Sequence, residues 1–157
     1  MRRDERQAQM PAPLAGGCFC GAVRFEIDDV FDAGYCRCAI CRRMSGAPAI
    51  LWAQAERSKF RIVNGTPSAY LSTPGWARYF CGSCGAPVYQ CDPNGDGSAE
   101  DRVCVLVPTL DNPEAVRPTV HIWCSSGLSY FETTDDAPRF PRGEITHPQT
   151  RGPSRAA

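Results

Sequence analysis

The chain has 157 residues, a formal net charge of zero, 22% charged residues and 43% hydrophobic ones. That length suits a single domain with a modest core. The balance excludes wholesale disorder and, without a basic stripe, general nucleic-acid binding. No apolar run reaches membrane-spanning length: the best, 47–53, is seven residues and contains a proline.

Residues 1–15 read as a flexible polar tail with Pro11 and Pro13. They lack the apolar stretch of a secretory signal, which predicts a cytoplasmic, reducing setting. There, clustered cysteines read as metal ligands or redox thiols before disulfides. The first pair, Cys18-x-Cys20, is followed by Gly21, and then Val23, Phe25 and Ile27 alternate with Arg24 and Glu26, a strand with one buried face. Cys36, Cys38 and Cys41 crowd together ahead of Arg42 and Arg43. Phe60-Arg61-Ile62-Val63 runs into the hairpin-turn pair Asn64-Gly65. A strand over Ala77–Phe80 leads to Cys81-x-x-Cys84, again followed by glycine, Gly85. Further strands are predicted over Pro87–Cys91, Arg102–Val107 and Val120–Cys124, with a short turn around Asn112–Val116. Asp92 to Ser98 reads as a surface turn whose carboxylates miss the Gly and Glu positions of a calcium loop. Residues 141–157, with Pro141, Pro148 and Pro153, read as a second flexible tail, in which His147 carries no site signal. Fourteen glycines and fourteen prolines leave little room for long helices. The prediction is a mostly β domain over 16–140, stapled by metal.

Seven of the ten cysteines fall in the three clusters. Two closed tetrahedral zinc sites would need eight, whereas an open, reactive zinc keeps three protein ligands. Cys18, Cys20, Cys81 and Cys84 supply four thiolates from distant parts of the chain, each pair with the glycine a tight knuckle needs. Cys36, Cys38 and Cys41 leave a fourth position to solvent, substrate or another residue; Cys91, Cys104, Cys124 and His121 are the candidates. The three lone cysteines and His121 lie in apolar strand patterns, where a structural role is expected. Seven bound thiolates and two zinc ions would leave the loaded protein mildly acidic. Arg37, Arg42 and Arg43 would offset a three-thiolate zinc and could receive a carboxylate bidentately. An open zinc beside arginines suits a small anionic thiol, held there as thiolate. Trp52 and Tyr79 are candidates for the pocket wall or for the core.

These residues resemble the glutathione-dependent formaldehyde-activating enzyme family, as in the zinc domain of centromere protein V. The matching stretches are 17–25, 36–46, 78–85, 109–113 and 118–122, and the resemblance covers roughly 16–140. It implies a compact, zinc-stapled β-sheet domain of a kind shared with the Rab-exchange-factor zinc module. It also implies a structural zinc on the first and third clusters and a catalytic zinc on the middle triad, which accepts the glutathione sulfur. The implied reaction, of the carbon-sulfur lyase type, adds that thiolate to formaldehyde and gives S-hydroxymethylglutathione. Pro108 stands where the family often has glycine, and Tyr130 near a usual tryptophan. Two competing readings use the same cysteines: a non-catalytic zinc module that binds a protein partner, and a thiol redox sensor. The complete triad favours the enzyme, since an interaction module needs only the closed site.

Overall fold

The computed structural model describes residues 13–96 and 101–143. The first twelve residues, residues 97–100 (with Ser98 of the expected turn) and the end from 144, with His147, lie outside them. Two sheets make up the domain. The smaller is antiparallel, with β2 (Arg24–Ile27) between β1 (Leu14–Gly17) and β5 (Phe60–Asn64). The larger has seven strands in the order β10 (His121–Ile122), β3 (Asp32–Cys36), β4 (Ile50–Glu56), β9 (Arg102–Leu106), β8 (Pro87–Cys91), β7 (Trp76–Phe80) and β6 (Ser68–Thr73). All its neighbours are antiparallel except the parallel pair β10–β3. One short helix, α1 (Ala39–Ser45), joins β3 to β4. No helix among the described residues is long and apolar enough to cross a membrane.

The alternation of β2 places Phe25 and Ile27 fully inside, each contributing about 1.5–3 kcal/mol by burial. They pack with Ala53, Ala55, Val103, Val105 and Cys91, which share one face of the large sheet. Ring contacts Phe25–Phe60 at 5.6 Å, Phe60–Tyr89 at 4.7 Å and Tyr79–Tyr89 at 4.3 Å carry the core from one sheet to the other. Tyr79 is therefore a core residue.

The opposite face of the large sheet is different. Strand register sets Asp32 against Gln54, Gln54 against Cys104, Cys104 against Gln90, and Gln90 against Arg78. Because side chains alternate across a strand, these five form one transverse, mostly polar row on a single face. It is this row that positions the site.

One sequence expectation is corrected. The strand expected over Val120–Cys124 is reduced to His121–Ile122, because Trp123 turns left-handed and Cys124–Ser126 winds into a 3₁₀ turn. Cys124 is thus not a strand residue. Paired backbone also extends from Leu14, in β1, to Arg142, whose carbonyl accepts from the Trp123 N–H.

Candidate functional site

Cys18 and Cys20 leave β1 in a turn that mirrors the one carrying Cys81 and Cys84 beyond β7. In each, the residue after the second cysteine has positive φ (Gly21 78°, Gly85 73°), and its N–H donates to the carbonyl of the first cysteine. The chain then closes back, with Cys18 N–H on Val23 O and Cys81 N–H on Ala86 O, both at 3.0 Å. All four sulfurs lie within 4.8 Å of one another, with Cys18–Cys20 at 3.6 Å and Cys20–Cys81 at 3.7 Å. A disulfide would need about 2.05 Å. A tetrahedral zinc with bonds of about 2.3 Å sets its sulfurs roughly 3.8 Å apart, so this donor set fits closed zinc. Burial raises the Cys18 thiol, but the Val23 N–H and the neighbouring thiols outweigh it and bring it down to about 6. At Cys20 the Ala22 N–H lowers the thiol, but sharing with the other three outweighs it and pushes it up to about 11.

The middle cluster is assembled where β3 meets α1. Cys36 ends the strand, Cys38 caps the helix by accepting from the Cys41 N–H at 3.2 Å, and Cys41 sits in the first turn. Their sulfurs also lie within 4.8 Å of one another, and three thiols with one side open fit an open zinc. Hydrogen bonds from Cys36 and then Cys41 hold the Cys38 thiol well below its ordinary value, while sharing with Cys38 pushes Cys36 well above.

The triad lies in the wall of a cavity of about 430 Å³ whose floor is the polar row, Asp32, Gln54, Cys104, Gln90 and Arg78, extended by Arg102. Trp52, Trp76 and Trp123 line it too, with Ile122 and Gly143. Arg78 is held by Ser72 Oγ at 3.1 Å and Gln90 Oε1 at 2.5 Å, which leaves its Nη2 to donate to Cys41 Sγ at 3.5 Å. A larger groove of about 590 Å³ runs beside Cys18, but its arginine, Arg24, is paired with Asp111. The smaller cavity is the one that Cys36, Cys38 and Cys41 all line.

The arginines beside the triad in sequence sit elsewhere. Arg37 turns inward, Arg42 is half-buried on α1, and Arg43 is exposed there; none of the three lines the cavity. Cys104 lines it, yet burial pushes its thiol up to about 12, and it stands outside the triad's sulfur cluster. Cys91 is on the core face, and His121 is buried, bonded through Nε2 to Asp135 at 2.8 Å and stacked on Tyr35. Arg78, Gln54, Gln90 and Arg102 were not singled out by sequence. Their signal was there in the strand alternation, which puts polar side chains on the inward face opposite the apolar core.

A family model described as glutathione-dependent formaldehyde-activating enzyme matches residues 13–126. A Halomonas elongata protein, provisionally named a glutathione-dependent formaldehyde-activating enzyme, is 31% identical over 90 residues. That match takes in 51% of this chain and 57% of the relative, so the chain spans little more than half of its length. A crystal structure of a Rhodobacter sphaeroides protein is similar at a TM-score of 0.52 and 29% identity, over 67% of this chain and 92% of that one.

Proposed function

The chain belongs to the glutathione-dependent formaldehyde-activating enzyme family, and from that premise we propose that it is a zinc enzyme of the carbon-sulfur lyase type. It binds glutathione with the sulfur at the open side of Cys36, Cys38 and Cys41, and the product with formaldehyde is S-hydroxymethylglutathione. The observation that carries this reading is the common cavity: three thiols, an arginine on one of them, and a polar floor that crosses five strands. Zinc, when bound there, would supply the positive charge that keeps the substrate sulfur ionised near neutral pH. Cys18, Cys20, Cys81 and Cys84 would hold the second, structural zinc. Arg78, fixed by Ser72 and Gln90, offsets the triad's negative charge. Gln54 and Gln90 offer amide partners to the glutathione peptide, and we place its carboxylate contact on Arg102 at the cavity wall, with Arg42 and Arg43 outside the lining. The lining also displaces water from the adding sulfur, which strengthens the electrostatic contacts around it. A cytoplasmic setting, where thiols stay reduced, belongs to this proposal.

Cobalt substitution tests it, since thiolate-to-cobalt charge-transfer bands respond to the number of sulfur ligands. Glutathione should intensify the bands and S-methylglutathione should not. Equal responses, or none, would remove the sulfur from the metal and the mechanism with it.

A further inference from the structure

The chain contains three tryptophans, and all three line the triad cavity. Under the reading above, the polar row accounts for the thiol: glutathione's amides and carboxylates match glutamines and arginines. Formaldehyde does not account for the tryptophans. It is one carbon and one oxygen and presents no apolar surface for an indole to cover.

Two of the tryptophans adjoin triad residues, toward which the electrophile must come. Its carbonyl carbon becomes bonded to the sulfur, so any substituent on that carbon lies close to the triad. Trp52 packs in one buried cluster with Cys36 and Cys41. Trp123 directly follows Ile122, whose backbone pairs with Cys36.

Trp123 is also held in place against its own preference. Its φ of 59° makes it the one non-glycine residue in the left-handed region among the described residues. A bulky side chain there is an outlier that persists only where its surroundings impose it, and such strain clusters at ligand sites. The surroundings are a strap, residues 140–143. Trp123 N–H donates to Arg142 O at 3.1 Å, and Cys124 N–H to Phe140 O at 3.0 Å. A Cβ on Gly143 would come within 2.8 Å of Trp123 Nε1, so the ring lies against bare backbone. Trp123 remains 38% exposed and belongs to neither buried core cluster. Trp52, 4% exposed and packed with Cys36 and Cys41, is a fixed part of the cavity wall.

We infer that Trp123, backed by Trp52, forms a subsite for the organic group of the electrophile. The substrate class is then an aldehyde bearing an apolar, planar substituent rather than formaldehyde alone. The inference rests on thiol addition at the triad. In that step the thiolate lone pair forms a C–S bond at the carbonyl carbon. The C=O π pair moves to oxygen, which takes up the proton the thiol released; nothing is oxidised and nothing leaves.

The test uses the zinc-loaded full chain and Trp123→Gly, which removes the ring and relieves the backbone, since glycine adopts positive φ freely. The catalysed rate of adduct formation with glutathione is followed by NMR exchange for phenylacetaldehyde and for formaldehyde. The wild type should favour phenylacetaldehyde in kcat/KM, and Trp123→Gly should lower that preference roughly tenfold or more. A wild-type preference for formaldehyde, or an unmoved ratio in the variant, overturns the inference. Should Trp123→Gly not fold, Gly143→Ala, which sets a methyl against the indole, must lower the same ratio. If glutathione alters the cobalt spectrum and only formaldehyde reacts, the electrophile inference alone falls. If neither aldehyde reacts and the spectrum is unmoved, the thiol-addition reading has failed first.

Discussion

Arg37 is only 4% exposed and spends its guanidinium inside the protein. Nη1 donates to Phe131 O at 2.8 Å, Nη2 reaches Thr133 Oγ1 at 3.2 Å, and the group lies over the Phe131 ring. It ties the 131–133 segment down beside His121. Arg37→Met keeps much of the aliphatic volume but strips the half-buried Phe131 carbonyl of this donor and leaves Thr133 Oγ1 with Arg139 alone, which costs about 1–3 kcal/mol for the two bonds. For a chain this long that is roughly 2–4 °C of melting temperature per kcal/mol. Arg43→Met, on the exposed face of α1, should stay within about 0.5 kcal/mol of wild type. Equal shifts in thermal melts of the two variants would contradict this assignment. The contrast was not legible beforehand. Arg37 stands between two triad cysteines in sequence, but its partners are more than eighty residues away. Arg78 was visible as a strand residue, and only the pairing of β7 with β8 brings it to Cys41. The cysteines themselves were legible, because a knuckle is a local structure whose glycine and spacing appear in the sequence.

Among the elements, α1 is the piece that shapes the triad, and it is only seven residues long. A helix that short shows no hydrophobic period. Its markers are Cys38 at the N-cap and Gly46 after the last turn, with φ of 71° and its N–H on Arg42 O at 2.8 Å. Gly46→Ala meets no neighbour within 4 Å, so its whole effect is backbone strain, about 1–2 kcal/mol. The strain falls on the helix that carries Cys41. The variant should melt lower and release triad zinc to a chelator faster than wild type, while the four-cysteine zinc is released unchanged. Unchanged triad release would show that α1 does not hold the site. The strands divide by the same logic. β2 and β5 were legible from alternation and from the turn pair Asn64-Gly65. β4 was not, because Ala53 and Ala55 face the core while Trp52 is buried on the cavity side, which erases the period of two. β3 carries Gly34, where a Cβ would meet Val120 at 2.6 Å; the close packing that requires glycine also weakens the strand signal.

At the scale of the whole molecule, the two cysteine clusters stand in different mechanical positions. Cys18 and Cys20 hang from the small sheet, and Cys81 and Cys84 from the large one, so a metal there joins the two layers. The triad joins only β3 to the helix that follows it and opens on a cavity. Structural zinc contributes about 10–16 kcal/mol in metal-dependent domains, as much as the net stability of an ordinary one at about 5–15 kcal/mol. Loss of the first metal should therefore unfold the chain, whereas loss of the second should leave the sheets paired. Cys81→Ser should fail to give a cooperative thermal transition in the presence of zinc. Cys38→Ser should melt within a few degrees of wild type, bind one zinc fewer, and lose glutathione-dependent turnover. Graded chelation of the wild type, followed by metal content and near-ultraviolet circular dichroism together, should give two steps. The first should remove the triad zinc with the signal of the core tyrosines Tyr79 and Tyr89 kept, and the second should remove the rest as that signal collapses. A single step, or collapse of Cys38→Ser alongside Cys81→Ser, would make both clusters structural. The triad would then be a staple, and the case for chemistry in its cavity would pass to the non-catalytic, partner-binding module.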